Sequence, residues 1–286
     1  INTTLENQVF ELSAGALCYC VMCQLLQNNN IYEAGLSVYG LISLYADCMD
    51  MHDRLNRAIY YKAVKVPQVE IPNEVAIFMN QYQRISARFI NFWFSPRINA
   101  MFRSNNLNVL NRLFLTESPT VMEVQSCLEE IEAKYTENRE LVAKVADIID
   151  VTELDNMIIA DIGSVDKHIS VKDNLLWNYT GLIANKLSER YSKMTFVYCY
   201  HSNEIKASVR DIFGRDFLSL FVRLCNAGGH KPAFGMTIKV FDLKQMLRKL
   251  KQIDKKLTLE NVSNEPIVIK YKFLAPDAAL IEDNVR

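Results

Sequence analysis

The longest regular pattern in the chain is a charged helical run, ESPTVMEVQSCLEEIEAKYTENRELVAKVADII, at residues 117–149. Its apolar residues keep a helical period for about 30 residues, charged side chains fill the other positions, and no glycine interrupts it. A long, solvated helix of this kind is a natural spacer between two domains. We therefore predict a connecting helix over 118–150, with one domain over 1–117 and a second over 151–286.

The residues on either side of this run differ in character. Before it, apolar residues recur at helical spacing over 11–61 and 72–94, and a short helix is predicted at 105–115. The apolar faces of these helices call for a partner surface that they do not themselves supply. After Asp150, strand-like and helix-like stretches alternate, which predicts an α/β domain with a mixed sheet. The predicted strands are 156–163, 194–201, 205–212, 235–241 and 266–274, and the predicted helices are 173–191, 215–225 and 242–256.

The composition bounds the function only loosely. With 50% apolar residues the chain can bury a core, and its formal net charge of -1 means that any nucleic-acid site must be a local basic patch. Cysteines without paired spacing favour a reduced compartment, and the trio in ALCYCVMCQLL is predicted to be buried thiols. No apolar run reaches the roughly 18 residues that a membrane span needs, so we expect a cytoplasmic protein of a bacterial or phage-infected cell.

The stretch NAGGHKPAFGMTI, at 226–238, has two interpretations. Gly228 and Gly229 permit a positive φ and leave no side chain between a ligand and the backbone amides, as in an anion-binding nest. His230 and Lys231 follow directly and can donate to phosphate oxygens. The alternative is a glycine-rich turn with an incidental histidine, and the stretch alone favours neither.

Two further stretches carry groups that suit phosphate. In SVRD, Ser208 and Arg210 alternate on a predicted strand and share one face, where a hydroxyl and a guanidinium fork can hold a phosphate; the alternative is an exposed face with a surface arginine. In NFWFSPRINAMFRSNN, Pro96 is expected to break the preceding helix and to leave Arg97 and Arg103 flanking an irregular turn. The aromatic residues around them can stack on the bases of a single strand, but most are expected to be core.

An acidic cluster in LYADCMDMHDRLNR is a candidate for metal ligation. It places Asp47, Asp50, His52 and Asp53 close together, and carboxylate and imidazole ligands suit Mg²⁺ or Mn²⁺. One short helix cannot close a two-metal site, so Asp50 and Asp53 are interpreted as solvated charges near the end of an element. Asp47, which follows an apolar stretch, is the unusual member.

Taken in order, these motifs resemble the DHH phosphoesterase superfamily, and specifically its RecJ-like single-strand exonucleases, over nearly the whole chain. ELSAGALCYCVMCQLL resembles the family's small-residue helix, and LISLYADCMDMHDRLNR resembles a segment in which the aspartate of Ala-Asp is a metal ligand. FSPRINAMFRS resembles the Pro-Arg-Ile-Asn-Ala motif with its downstream arginine. LEEIEAKYTENRELV resembles the family's connecting helix, and NAGGHKPAFG its Gly-Gly-His-Lys-x-Ala-x-Gly substrate loop.

The resemblance implies a Mn²⁺- or Mg²⁺-dependent 5′-to-3′ exonuclease acting on single-stranded DNA in repair and recombination. It implies a mostly helical C-terminal part of the catalytic domain, a connecting helix, and a mixed-sheet α/β substrate-binding domain. Asp47 would be a metal ligand, and no catalytic residue outside the metal site is implied. The residues implied to hold the strand or its phosphates are Arg97, Asn99, Arg103, Ser208, Arg210, Gly228, Gly229, His230 and Lys231.

Two departures from the family pattern limit the expected activity. A helix that usually opens with Trp-His has Asn178 after Trp177, so any role of that histidine is lost. The family's aspartate motifs and its Asp-His-His triplet should precede LSAG, and this chain contains no Asp-His-His. We therefore expect the chain to be inactive alone and to need the N-terminal half of the catalytic domain, on a companion chain or a missing segment. The alternatives are a non-catalytic DNA-binding or scaffold subunit and a phosphodiesterase acting on short oligonucleotides or cyclic dinucleotides.

Overall fold

The computed structural model describes residues 12–26, 30–79, 84–116, 120–165 and 172–260, together with two short strands, β1 (Thr4–Leu5) and β2 (Gln8–Val9). The described residues divide into two compact units. The first unit runs to Phe102 and includes Asn106–Tyr135, and the second contains Arg103–Asn105 and continues from Thr136. None of the described helices is both long and apolar enough to cross a bilayer.

The first unit is helical. Its helices are α1 (Ala14–Leu25), α2 (Asn30–Ala46), α3 (Arg54–Ala63), α4 (Asn73–Met79), α5 (Ala87–Phe89), α6 (Ser95–Arg103), α7 (Leu107–Leu115) and the first part of α8 (Val121–Ile148). Ser13 begins α1 because its hydroxyl accepts a hydrogen bond from the amide of Ala16. A core that includes Leu41, Phe89 and Ile131 joins α2 and α5 to α8.

The predicted break at Pro96 is wrong. A π-helical segment, Ile90–Phe94, leads directly into α6, and Pro96 is the second residue of that helix. Proline removes only its own backbone donor from this continuous run, and the π-helical turn directly before it already departs from regular α-helical pairing. Arg97 and Arg103 therefore both lie on α6 instead of beside an irregular turn. Of the four aromatic residues around them, Phe94 is buried and Trp93 packs on the core, whereas Phe92 and Phe102 are exposed.

The long charged run forms α8 without a break. A capping box begins it, since the amide of Thr120 donates to the Glu123 carboxylate and the amide of Glu123 donates to the Thr120 hydroxyl. Ile131 on the first part of α8 is buried in the core of the first unit, and Val145 on the second part is buried in a core of the second unit. The division into domains at 118–150 stays a prediction.

The second unit contains a mixed sheet, as the sequence predicts; it has six strands, and those at Val151–Glu153 and Asn226–His230 were not predicted. Its strands are β3 (Val151–Glu153), β4 (Met157–Asp161), β5 (Met194–His201), β6 (Glu204–Arg210), β7 (Asn226–His230) and β8 (Ala233–Lys239). The strand order is β3-β4-β5-β6-β8-β7, and the β4–β5 pair is parallel while the other pairs are antiparallel. The helices of this unit are α9 (Thr180–Tyr191), α10 (Leu218–Phe221) and α11 (Leu243–Glu260).

Each face of the sheet packs against a hydrophobic core. Ile205, Ala207 and Val209 of β6 belong to a core with Met246 and Leu250 of α11. On the other face, a second core joins β4 and β5 to α9. Because side chains alternate along a strand, the remaining β6 residues face the α9 side of the sheet.

Several local predictions need correction. The helix predicted at 215–225 is limited to α10, since the chain turns into β7 at Asn226. The glycine-rich stretch is not a loop, because its glycines lie within β7 and the turn of the hairpin falls at Lys231 and Pro232. The strand predicted at 266–274 lies outside the described residues. The buried-thiol prediction is also wrong in part, since Cys18 is exposed and Cys20 and Cys23 are half-buried.

Candidate functional site

Ser208 and Arg210 face α9 from the end of β6. The Ser208 hydroxyl lies 2.9 Å from the Thr180 hydroxyl, and both side chains are buried. Arg210 Nη1 donates to its neighbouring carbonyl, that of Val209, at 2.7 Å. The predicted sharing of one strand face is therefore present in the structure.

Gly181 gives the Arg210 guanidinium its space. A Cβ atom at this position would lie 2.7 Å from Arg210 Nη2 and 3.6 Å from Ser208 Oγ. Gly181 is the second residue of α9 and has no positive φ, so backbone conformation does not require a glycine there. The close approach of the guanidinium is the reason that a side chain is excluded.

Arg103, the last residue of α6, joins the same cluster. Asn178 Nδ2 donates to the carbonyl oxygen of Arg103 at 3.0 Å, which fixes its backbone. The following residue, Tyr179, donates from its hydroxyl to Asn138 Oδ1 at 2.8 Å, and Ser104 also contacts Asn138. The four consecutive residues 178–181 therefore all take part in this cluster. Three of them adjoin Arg103, Ser208 or Arg210 directly, and Tyr179 bonds to Asn138, which also contacts Ser104.

The electrostatics of this cluster favour an anion. Burial lowers the pKa of Arg103. Burial also lowers the pKa of Arg210, and the nearby positive charge of Arg103 lowers it further. Within the described part of the chain, neither guanidinium forms an ion pair. Two like charges held together and partly removed from water are destabilised, and a bound anion would relieve that cost.

The hairpin of β8 and β7 extends the face on which Arg210 lies. In the strand register, Arg210 pairs with Ala233 and Ala233 pairs with His230, so His230 is two strands from Arg210 on the same face. Two strand spacings place their Cα atoms about 10 Å apart. Ser208 is followed in the same way by Gly235 and Gly228.

The two predicted glycines have different surroundings. Gly229 has a φ of 139°, and a Cβ there would lie 2.8 Å from the carbonyl oxygen of Ala233, so the backbone requires a glycine. A Cβ on Gly228 would meet no atom within 4 Å, and one on Gly235 would meet only the carbonyl of Ala207 at 3.8 Å. Gly228 and Gly235 therefore leave a flat, open surface. His230 and Lys231 beside it are exposed, and Lys231 Nζ lies 3.9 Å from Asp216.

Arg97 has different contacts from the other predicted phosphate ligands. It is buried, and its guanidinium forms two hydrogen bonds to Glu132, at 2.6 and 3.0 Å. It also lies 3.5 Å from the Trp93 ring centroid and 4.5 Å from that of Tyr135. Its donors are thus engaged within the first unit, while Asn99 on the same helix is exposed. The binding roles of both residues stay predictions.

The acidic cluster does not form a metal site by itself. Asp47 is exposed at the end of α2. Asp50 accepts a hydrogen bond from the amide of His52, and Asp53 begins α3 by accepting from two amides, so both have local structural roles. Among the described residues, no group of three or more His, Cys, Asp and Glu side chains is placed to hold a metal ion.

Sequence reasoning missed the residues that support the phosphate-binding candidates. Asn178 stands where the family pattern has histidine, yet its side-chain amide holds Arg103. Thr180 and Gly181 carry no motif of their own, and their roles depend on contacts with β6. A short sequence signal existed only for Gly181, as a glycine in the first turn of an otherwise regular helix.

Comparison with solved structures shows that the fold is similar to that of RecJ. The crystal structure of Thermus thermophilus RecJ with Mn²⁺ matches with a TM-score of 0.61 and 15% identity, over 84% of this chain and 35% of that chain. The Mg²⁺ complex of the same protein matches with a TM-score of 0.60 and 16% identity, over 84% of this chain and 37% of that chain. The predicted fold class and the RecJ-like resemblance are confirmed.

The sequence comparison agrees with the fold. The chain is 27% identical over 188 residues to the single-stranded-DNA-specific exonuclease RecJ of Bacillus subtilis (strain 168), covering 60% of this chain and 22% of that protein. The chain thus spans about a fifth of the length of this relative. No protein-family model matches the chain.

Proposed function

We propose that this chain is the substrate-binding part of a RecJ-like phosphodiester hydrolase that acts on single-stranded DNA from its 5′ end. In this proposal, Arg103, Ser208 and Arg210 bind the terminal 5′-phosphate. The main observation behind this proposal is that the guanidiniums of Arg103 and Arg210 are half-buried and form no ion pair within the described residues. The sequence similarity to a single-stranded-DNA-specific exonuclease supports the choice of substrate.

A terminal phosphate fits the charge of this cluster better than an internal one. A phosphate monoester carries roughly 1.5 to 2 negative charges near pH 7, whereas each internal diester carries one. Two guanidiniums and one hydroxyl match a dianion with three free oxygens, and a guanidinium presents its donors as a fork that suits phosphate. The support from residues 178–181 holds the binding groups in place before the ligand arrives.

The open surface beside the cluster suits the nucleoside attached to that phosphate. Gly228 and Gly235 leave room for a flat group to approach the sheet, and His230 stands at the outer strand. In this proposal His230 and Lys231 donate to phosphate oxygens of the strand, with neither acting as a base. Gly229 keeps the hairpin backbone in the conformation that this surface needs.

A divalent ion is the proposed cofactor, since RecJ structures with the same fold contain Mn²⁺ and Mg²⁺. Such an ion supplies an activated water in phosphodiester hydrolysis. Asp47 is the residue of this chain proposed to contact it, but the described residues do not form a complete ligand set. The chain alone is therefore expected to bind DNA without cleaving it.

Binding measurements with two forms of one oligonucleotide test this proposal. We expect the full chain to bind 5′-phosphorylated single-stranded DNA more tightly than the same DNA with a 5′-hydroxyl, in a buffer without divalent ions. Arg210→Ala removes charge-assisted hydrogen bonds of about 1.5 to 3 kcal/mol, so it should weaken binding of the phosphorylated form by roughly 10- to 150-fold. If the wild type binds both forms with equal affinity, the cluster of Arg103, Ser208 and Arg210 is not a 5′-phosphate site.

A nuclease assay separates the remaining alternatives. With Mn²⁺ and a companion chain carrying the Asp-His-His motif, release of mononucleotides from a long strand supports the exonuclease. Cleavage of dinucleotides in preference to long strands would identify the short-substrate phosphodiesterase. DNA binding that never leads to cleavage would identify a non-catalytic subunit.

A further inference from the structure

The polar face of the sheet continues beyond the proposed 5′-phosphate site. Two residues along β6 from Ser208, Lys206 lies on the same face, and its Nζ donates to the Thr237 hydroxyl of β8 at 3.1 Å. Thr237 is in turn paired with Asn226 of β7. The next row on this face pairs Glu204 with Lys239. A continuous polar surface therefore runs across β6, β8 and β7 away from Arg210.

At the edge of the sheet where this surface ends, a cleft opens toward α11, on the side of the sheet opposite α9. Strand β8 continues past the start of β7, which leaves the outer edge of Ile238 and Lys239 without a β7 partner. A cavity of about 420 Å³ lies there, between β8, the chain before β7 and the start of α11. Its charged lining includes three cations, Arg223, Lys239 and Lys249, and two carboxylates, Glu204 and Asp242.

The three cations that line the cleft outnumber its two carboxylates. Glu204 is held by Lys206, whose Nζ lies 2.8 Å from its carboxylate. Within the described residues, no ion pair joins a carboxylate to Arg223, Lys239 or Lys249. An anionic ligand is therefore favoured in the cleft.

An exposed aromatic ring stands beside this cleft. Phe241 is 77% exposed and lies in the chain between two residues that line the cleft, Lys239 and Asp242. The Lys239 ammonium is 5.6 Å from the centre of this ring. A cation beside an exposed aromatic face is the combination with which proteins hold single strands, by phosphate contact and base stacking.

We propose that this cleft is a downstream subsite for the single strand whose 5′-phosphate lies at Arg210. This inference rests on the proposed function. Lys239, Lys249 and Arg223 would contact a phosphate of the strand, and Phe241 would stack on a base. The rows of Arg210 and Glu204 are six residue steps apart along β6, a distance of about 20 Å. That distance equals at most about six nucleotides stacked at 3.4 Å each, and fewer in an extended strand.

The spacing makes affinity depend on strand length in a defined way. A dinucleotide bound at Arg210 is too short to reach the cleft, whereas an octanucleotide spans the whole surface. The subsite therefore adds affinity only to longer strands. Loss of the cleft should abolish that gain and leave dinucleotide binding unchanged.

The test measures the affinity of the full chain for 5′-phosphorylated oligothymidylates of two to eight nucleotides, by fluorescence anisotropy with EDTA present. The wild type should bind the octamer more tightly than the dimer. Lys239→Gln with Lys249→Gln should remove that difference and make the salt dependence of octamer binding shallower by about 1.4 in log-log slope, or 0.7 for each lysine. Phe241→Ala should weaken octamer binding about fivefold or more.

Matched variants on α11 provide the control, since Lys251 and Lys255 are exposed on that helix and do not line the cleft. Lys251→Gln with Lys255→Gln should keep the length dependence. An equal loss in this control, or octamer binding that is unchanged by the cleft variants, overturns the subsite. Wild-type protein that binds the dimer and the octamer equally also overturns it, while the 5′-phosphate site stands. If no oligonucleotide binds at all, the proposed function fails together with the subsite.

Discussion

Replacing Gly181 with alanine should separate phosphate binding from stability. The new Cβ would lie 2.7 Å from Arg210 Nη2, which is closer than non-bonded atoms approach, so the guanidinium must move. The end of a flexible side chain can move without disturbing the fold. The substitution should make α9 more stable, because alanine has a higher helix propensity than glycine.

The two effects have opposite signs. In a helix interior, glycine to alanine stabilises by about 0.5 to 1 kcal/mol, and the position of Gly181 in the first turn makes this an upper value. Displacement of Arg210 removes a charge-assisted hydrogen bond of about 1.5 to 3 kcal/mol to the phosphate. We therefore expect an unchanged or slightly higher midpoint of thermal unfolding, together with 10- to 150-fold weaker binding of 5′-phosphorylated DNA.

The measurement compares Gly181→Ala with Gly35→Ala, in which the new Cβ would make ordinary contacts at 3.7 Å within the first unit. Each variant is titrated with the same oligonucleotide bearing a 5′-phosphate or a 5′-hydroxyl, and unfolding is followed by circular dichroism. Gly35→Ala should keep the preference for the phosphate. If Gly181→Ala also keeps full preference for the phosphate, then Arg210 does not bind it from the position seen here, and the reasoning is refuted.

Three other substitutions have distinct expected outcomes. Thr180→Val leaves the buried Ser208 hydroxyl without its partner and should destabilise the chain by about 1 to 3 kcal/mol in denaturant unfolding, whereas Thr180→Ser should retain wild-type stability. Asp53→Ala removes a helix cap and should cost about 1 kcal/mol of unfolding free energy, with DNA affinity unchanged. Arg97→Lys cannot keep both hydrogen bonds to Glu132, so chemical unfolding should show a loss of about 1 to 3 kcal/mol. A stable Arg97→Lys variant with weakened DNA binding would instead support the role predicted from its sequence motif.

Local patterns were sufficient for β4, β5, β6 and β8 and for part of the site. Residue alternation places Ser208 and Arg210 on one face of β6, and this follows from strand geometry alone. The charged period of residues 117–149 is enough to predict α8. These inferences depend on neighbouring residues in the chain, so the sequence contains the information that they need.

Long-range contacts account for most of what was missed. Arg103 reaches the β6 pair because Asn178 holds its carbonyl, and no periodicity links these two segments. The Gly228 and Gly229 stretch was interpreted as a nest or a turn, and by resemblance as a substrate loop, but long-range pairing with β8 makes it a strand. The break predicted at Pro96 is absent because the π-helical turn Ile90–Phe94 carries the backbone into α6 without interruption.

The position of β7 at the end of the strand order has a consequence for local dynamics. Within the described residues, β7 pairs with β8 alone, and the side-chain-free Gly228 and Gly229 offer little packing to hold it. Such an edge opens at lower free energy than the centre of a sheet. Amide hydrogens of β7 should therefore exchange with solvent faster than those of β6, which has a strand on each side. A strand of DNA lying across the hairpin would slow that exchange, so hydrogen exchange of residues 226–230 can report occupancy of this surface directly.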